Sequence, residues 1–322
     1  MHKFTALLGI GAFFAFQTGV RALPITLGAA GPNDWAILEV GNGSIVEQVD
    51  LSNPQGGIFG NVGIQKAGKI QGSGPQIYGD LYLGDGASAQ FSGTYLNNQP
   101  VTGTVHLGSG ATVSPNSYLF TTVSDNPQLL LGQTRTDAIN ASSAAGALSP
   151  TSTLTQINLS HTSLTLAPGV YDLSALHLDH STLTLSGAGS FVFNISSIFT
   201  LNSGKILLAG GATEQDVLFN YTGTNQVAFS GGGNDSELHG IILALNADVA
   251  LAPGLVVGEI ISGQDISVVS GAIIRQTTVT ESGQAGRPPD NVPDNSSTLA
   301  LILISFGFLI LLKRFGLGLR EG

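Results

Sequence analysis

The chain has 322 residues, about a tenth of them charged, with 44 glycines and no cysteine. Residues 23–289 hold 6 Lys+Arg against 18 Asp+Glu, a net charge near −12, which excludes a phosphate-backbone binder, so nucleic acid is not an expected partner. The lack of cysteine excludes disulfide staples, thiolate metal sites and cysteine nucleophiles, and leaves stability to a large core and extensive backbone hydrogen bonding.

In chain order, the first element is an export signal. His2 and Lys3 precede an apolar run over residues 6–16, Gln17 to Gly19 breaks it, and Val20-Arg21-Ala22 places small or modest side chains at the positions a signal peptidase reads. A secretory signal helix is expected over residues 1–22. Residues 23–120 then alternate apolar and polar positions around Val62/Ile64, Ile70, Ile77/Leu81/Leu83, Phe91, Val101/Val105/Leu107 and Val113. They predict short strands, either the first part of a β-helix or a separate small β domain.

One helical segment follows, within residues 121–149. Asn126-Pro127 reads as a cap followed by proline at the first helical position, and Leu131, Ala138, Ile139 and Ala145 recur near helical spacing. A helix is expected over 127–147. Its low charge and small residues predict that it packs along another element.

Residues 150–282 are a succession of apolar pairs: Leu164/Leu166, Leu176/Leu178, Leu183/Leu185, Phe191/Phe193, Phe199/Leu201 and Ile206/Leu208. Val217/Phe219, Val227/Phe229, Val249/Leu251 and Ile266/Val268 continue the series. Between Leu176 and Ile206 the pairs start 7 or 8 residues apart, with Gly, Asn, Asp or Ser between them. Period-two alternation in segments this short means strands with one face buried. Three such strands fill about 22 to 25 residues, the size of one solenoid coil, so about five or six coils are expected here. The predicted fold class is all-β: a right-handed β-helix (solenoid) with one flanking α-helix, plus the N-terminal signal helix and a C-terminal transmembrane helix. A sandwich fits less well, because its strands run longer and its hairpin signals recur.

Pro168-Gly169-Val170-Tyr171, residues 183–193 (LTLSGAGSFVF), Val217-Leu218-Phe219-Asn220, Gly240-Ile241-Ile242-Leu243-Ala244 and a closing block over residues 258–274 occur in one order. This order resembles the choice-of-anchor A group of exported bacterial proteins. It is also similar to the ice-binding-like β-helix family. The resemblance covers roughly residues 130–275, and its motifs are turns and inward apolar pairs, which imply fold more than activity.

The densest titratable cluster is His177-Leu178-Asp179-His180, with His161 and Asp172 nearby. On a strand His177 and Asp179 share a face and His180 lies opposite or in the turn; the three are weak candidates for a divalent metal, the alternative being a solvated coil edge. Asp216, Asp235, Glu237, Asp248, Glu259 and Asp265 are spread over some fifty residues without a local acid-pair motif. Only Lys205 and Arg275 are available as basic partners within residues 150–282. Neither a catalytic residue nor a cofactor is expected. Gly231-Gly232-Gly233-Asn234-Asp235 reads as a tight turn. Outward threonines, with Thr162, Thr165, Thr182 and Thr184 the best candidates for a ligand face, form short rows that end before Ile206/Leu208 and Val249/Leu251.

The C-terminus carries a Pro-rich spacer over residues 283–297 and a transmembrane sorting tail over 298–315, whose uncharged run 298–312 is closed by Lys313 and Arg314 on the cytoplasmic side. Val292-Pro293-Asp294, then Ser297-Thr298-Leu299, the apolar run and Lys313-Arg314 resemble a PEP-CTERM-type sorting tail, closest to its VPDSG-CTERM variant, from which Asn295 and Ser296 depart. The resemblance implies an exosortase-like partner in the inner membrane of a Gram-negative bacterium, beside signal peptidase, and cell-surface or extracellular-matrix placement.

Three functions follow as expectations. The first is a non-enzymatic surface or matrix protein, adhesive or associated with extracellular polysaccharide. The others are an ice-binding β-helix and a polysaccharide-active enzyme.

Overall fold

The computed structural model describes residues 25–31, 34–41, 48–52, 57–73, 76–92, 100–114, 121–231, 236–269 and 271–276, with only the backbone course given for 48–52. The expected signal helix, the Pro-rich spacer, the sorting motif and the transmembrane tail over 298–315 lie outside them. No helix of the described residues is long and apolar enough to cross a membrane.

Strands of three to twelve residues join in parallel into one 24-stranded sheet, wound as a solenoid of about nine turns. Each turn crosses three faces. In the first coil Gln156–Ser160 lies on the first face, Ser163–Leu166 on the second and residues 169–173 on the third. Residues 175–179 then stack on Gln156–Ser160, Thr182–Ser186 on Ser163–Leu166, and residues 191–195 on 169–173. The inward pairs explain why. Leu176/Leu178, Leu183/Leu185, Phe191/Phe193 and Phe199/Leu201 are all fully buried, and each side chain so buried contributes about 1.5–3 kcal/mol. In-register parallel stacking sets like residues one strand spacing apart, about 4.8 Å. Tyr171, Phe193 and Phe219 accordingly stack with ring centroids 5.0 Å apart at each step.

Coil length varies more than the sequence suggests. Register partners lie 19 residues apart between Ser160 and Asp179, 23 between Asp179 and Asn202, and 28 between Asn202 and Ser230. The third coil is longest because residues 210–216 are extruded between its second and third faces; Gly210 and Gly211 turn at positive φ, and the 3₁₀ turn Glu214–Asp216 is closed by a capping box from Thr213.

Stacking order departs from chain order. Six coils rise from Gln156 to Arg275, and the sixth takes its third-face strand, Ile37–Glu39, from the N-terminal region. Residues 49–52 then stack on Ile266–Val269, and Gly57–Phe59 on Ile273–Arg275. The N-terminal coils continue upward to Thr112–Ser114 and Thr121–Val123. The N-terminal strands therefore belong to the same sheet as the C-terminal coils, placed beyond the last of them.

The helix α1, Gln128–Gly146, returns the chain from the upper rim to the first coil. At 1.5 Å per residue it is about 28 Å long, enough to pass roughly six coils. Leu131, Thr134, Ala138, Ala141 and Ala145 form its buried stripe, packed on the third-face residues Val192, Leu218, Ile241, Leu243, Ile261 and Leu38. Two details differ from expectation. Asn126 has φ +53° and gives the helix no side-chain cap, Pro127 being the capping residue. Ile139 is 42% exposed, because the alanines on either side of it already fill the narrow contact with the sheet.

Candidate functional site

The third face packs against α1 and against Ile25, Leu27, Ala30 and Trp35, so an accessible sheet surface is sought on the first or the second face. Under α1 the outward side chains bind the helix itself. Asn220 Nδ2 donates to Ser142 O at 3.1 Å and to Asn194 Oδ1 at 2.8 Å, and Asn194 Nδ2 donates to Ala145 O at 2.9 Å and Asp172 Oδ1 at 3.0 Å. Asp172 thus holds Asn194, which docks the helix, and makes no contact with the histidines among the described hydrogen bonds.

On the first face, Thr200, Ala228, Ala250 and Ser267 follow one another in register as one outward row. Asn202, Ser230 and Ala252 form the row beside it. Neighbours within a row are about 4.8 Å apart and the two rows about 6.7 Å apart along the strands. The patch is uncharged and low in relief, since five of its seven side chains are Ala or Ser: Ala228 and Ser230 on coil four, Ala250 and Ala252 on coil five, and Ser267 on the sixth. Below it the rows become His177 and Asn158, and Asp179 and Ser160; further up the same face lie Gln71 and Gln90.

The second face is uneven. Thr182 and Thr184 pair with Ser163 and Thr165, giving a small hydroxyl array on coils one and two, with Thr162 in the preceding turn. The next residues in these rows are Lys205 and Leu207. Ile206/Leu208 and Val249/Leu251, where the sequence suggested looking for a continuation, point inward instead. Glu237 follows Lys205, and its carboxylate lies 3.6 Å from Lys205 Nζ. His239 joins Glu237 Oε1 at 2.9 Å and Glu214 Oε1 at 2.9 Å. Burial opposes charge on this imidazole, and the two carboxylates outweigh it, holding His239 up at about 9.

The His177, Asp179 and His180 side chains do not share one centre. His177 Nδ1 meets Thr200 Oγ1 at 2.6 Å, while Asp179 is bound by His180 Nδ1 at 3.0 Å, Asn202 Nδ2 at 2.7 Å and Ser160 Oγ at 3.2 Å. His161 and His180 occupy successive turns at positive φ and stack at 5.0 Å. No group of three or more potential ligands that could hold a metal occurs among the described residues. The scattered acids are engaged locally: Asp216 in its capping box, Glu237 with His239, and Asp248 accepting from Asp265 N at 3.3 Å. Asp235 lies outside the described residues, as does most of the turn before it. Glu259 is fully buried on the third face, with no hydrogen-bond partner for either oxygen among the described residues. Burial pushes its carboxyl well above the usual range, and the Asp34 charge adds to this.

The fold is a parallel three-faced solenoid with a helix packed on one face. Residues 57–280 match the family model described as ice-binding-like, and the chain belongs to that family. Membership of this family favours the ice-binding reading over the adhesive one. No curated protein matches the chain. Among solved structures, an ice-binding protein from Arctic yeast is similar at 20% identity and TM-score 0.50, covering 84% of this chain and 99% of that one. An ice-binding protein from the Antarctic ascomycete Antarctomyces psychrotrophicus is similar at 20% identity and TM-score 0.46, over 78% and 98% of the two chains. One from Shewanella frigidimarina is similar at 16% identity and TM-score 0.48, over 80% and 100%.

Proposed function

We propose that this chain is an exported ice-binding protein that adsorbs to ice through the first face of coils three to six. The observation that carries this reading is the uncharged, low-relief array of Thr200, Ala228, Ala250 and Ser267 beside Asn202, Ser230 and Ala252. Methyl groups and hydroxyls on a rigid two-dimensional grid can order a water layer without the strong, radially directed hydration that a charged group imposes. The sheet's hydrogen-bonded ladders supply the rigidity, so little conformational entropy is lost on adsorption. The second face is the poorer platform at coils three and four, where Lys205, Glu237 and His239 project. Its Thr165, Thr182 and Thr184, with Thr162, are a smaller flanking array.

Ice-recrystallisation and thermal-hysteresis measurements test the proposal. The full chain is expected to slow recrystallisation, Ala228→Tyr/Ala250→Tyr to lose most of that effect, and Thr184→Tyr to keep it. No effect of the unaltered protein on ice growth would refute the reading. Loss with Thr184→Tyr alone would move the site to the second face.

The ends of the sequence support a companion proposal about address. A cleaved signal over residues 1–22 and a sorting tail built on Val292-Pro293-Asp294, Ser297-Thr298-Leu299 and Lys313-Arg314 would deliver the protein to the cell surface or the surrounding matrix. Truncation before Val292 is then expected to shift the protein from the cell envelope to the medium in fractionated cultures.

A further inference from the structure

The sixth coil is closed by pieces from both ends of the described chain. Its first two faces come from Ile266–Val269 and Ile273–Arg275, and its third from Ile37–Glu39. Glu259 sits one coil below this joint. The next residue, Ile260, pairs with Ile37 and donates its N–H to Ala36 O at 3.0 Å. On its other side Glu259 is in register with Ile241, a member of the apolar layer that also holds Trp35, Leu38 and Leu218. The carboxyl thus lies between an apolar strand and the incoming N-terminal segment, fully buried, with both oxygens unpartnered among the described residues. Glu39 on the same face shows the contrast: its oxygens accept the Gln65 N–H at 3.0 Å and the Gly41 N–H.

The charged groups on the surrounding elements give Glu259 no compensation. Asp34, on the N-terminal segment, is the charge that acts on it, and it is repulsive. Glu214 and Glu237 are held by His239. On α1, Arg135 donates to the Val40 and Gly41 carbonyls at 3.2 Å, and Asp137 accepts the Ala29 N–H at 2.9 Å.

We infer that Glu259 is the trigger of a pH-operated latch: neutral, it lets residues 34–39 close the sixth coil, and ionised, it drives them off. A buried carboxylate without partner or counter-charge is far costlier than the neutral acid. The closed form keeps the proton and the open form, with Glu259 in water, gives it up. Closure is therefore fully favoured below the ordinary carboxyl pKa. As pH rises above that value the opening constant increases, by about tenfold per pH unit, until the closed form itself ionises. Opening is local, because coils one to five keep their own ladders and apolar interior.

Trp35 is the only tryptophan of the chain and is 2% exposed within the segment that moves, so it reports the latch directly. The experiment titrates the full chain from about pH 5 to about pH 9, following Trp35 emission together with the far-ultraviolet strand signal. The expected result is a reversible red shift toward alkaline pH with the strand signal retained, abolished in both Glu259→Gln and Glu259→Leu. A constant emission in the unaltered protein, or the same red shift in either variant, overturns the inference. The leucine variant carries the comparison if the glutamine variant does not fold.

Discussion

His239 is the residue whose protonation does most for the second face. It bridges Glu214, on the extruded segment, and Glu237, on the fourth coil, and it holds both carboxyls below their ordinary values through the hydrogen bonds it makes. The folded state raises His239 from 6.5 to about 9. Its stabilisation is therefore complete below about pH 6.5 and disappears as pH climbs through about 9; the gap corresponds to a few kcal/mol at most, roughly. His239→Gln is expected to lower the melting temperature at neutral pH and to flatten its decline toward pH 9, as a series of thermal melts would show. The cluster could not be read in the sequence. His239 and Glu214 are 25 positions apart, in different coils, and nothing local marks them as neighbours. Glu259 was equally hidden: on a list of acids it looks like its solvated companions, and only the strand beyond it shows that water is excluded. Thr162, Thr165, Thr182 and Thr184 drew attention because threonine is conspicuous, whereas the flatter Ala and Ser row on the first face reads as mere spacing between apolar pairs.

At the scale of elements, the inward pairs were legible because alternation and burial are the same fact in a strand. Every pair from Leu164/Leu166 to Ile266/Val268 packs into the solenoid interior. The helix was legible for a similar reason, since its small residues lie at the spacing that lets it rest on a sheet. Corners are subtler. Glu237–Ala244 and Leu255–Ser262 each cover two faces and bend at Gly240 and Gly258, which stack in register with φ near +140°. A Cβ on Gly258 would come within 2.0 Å of Gly240 O. Gly258→Ala must move that backbone and also strain its own, at a cost of at least about 1–3 kcal/mol. Chemical denaturation should show this loss, whereas the same change at Gly132 on α1, where a Cβ meets nothing within 4 Å, should be neutral or stabilising by up to about 1 kcal/mol. The extruded segment 210–216 explains why coil length could not be extrapolated from the regular stretch. A loop leaving at a corner lengthens the chain without disturbing the ladders on either side.

For the whole molecule, the number of coils between Gln156 and Arg275 followed from the sequence, but their place in the stack did not. Local patterning says that a strand will find a parallel neighbour and is silent on which one. Here the neighbour of Ile260 is Ile37, a pairing that no spacing rule selects. Closure at this joint also protects the molecule, because an unpaired parallel edge is a template for association. Deleting residues 25–41 is expected to expose the Leu255–Ser262 and Val62–Ile64 edges and to shift the protein toward self-association in sedimentation measurements.

The order of stacking has a consequence in time. The coils that leave the ribosome first have their lower neighbours made last, so the upper part of the solenoid cannot be seated until Arg275 has been synthesised. A chain built this way stays open through most of its production, with contacts of long sequence separation formed at the end and slow folding as the result. A protein that has to be threaded across a membrane before it folds would find that delay an advantage.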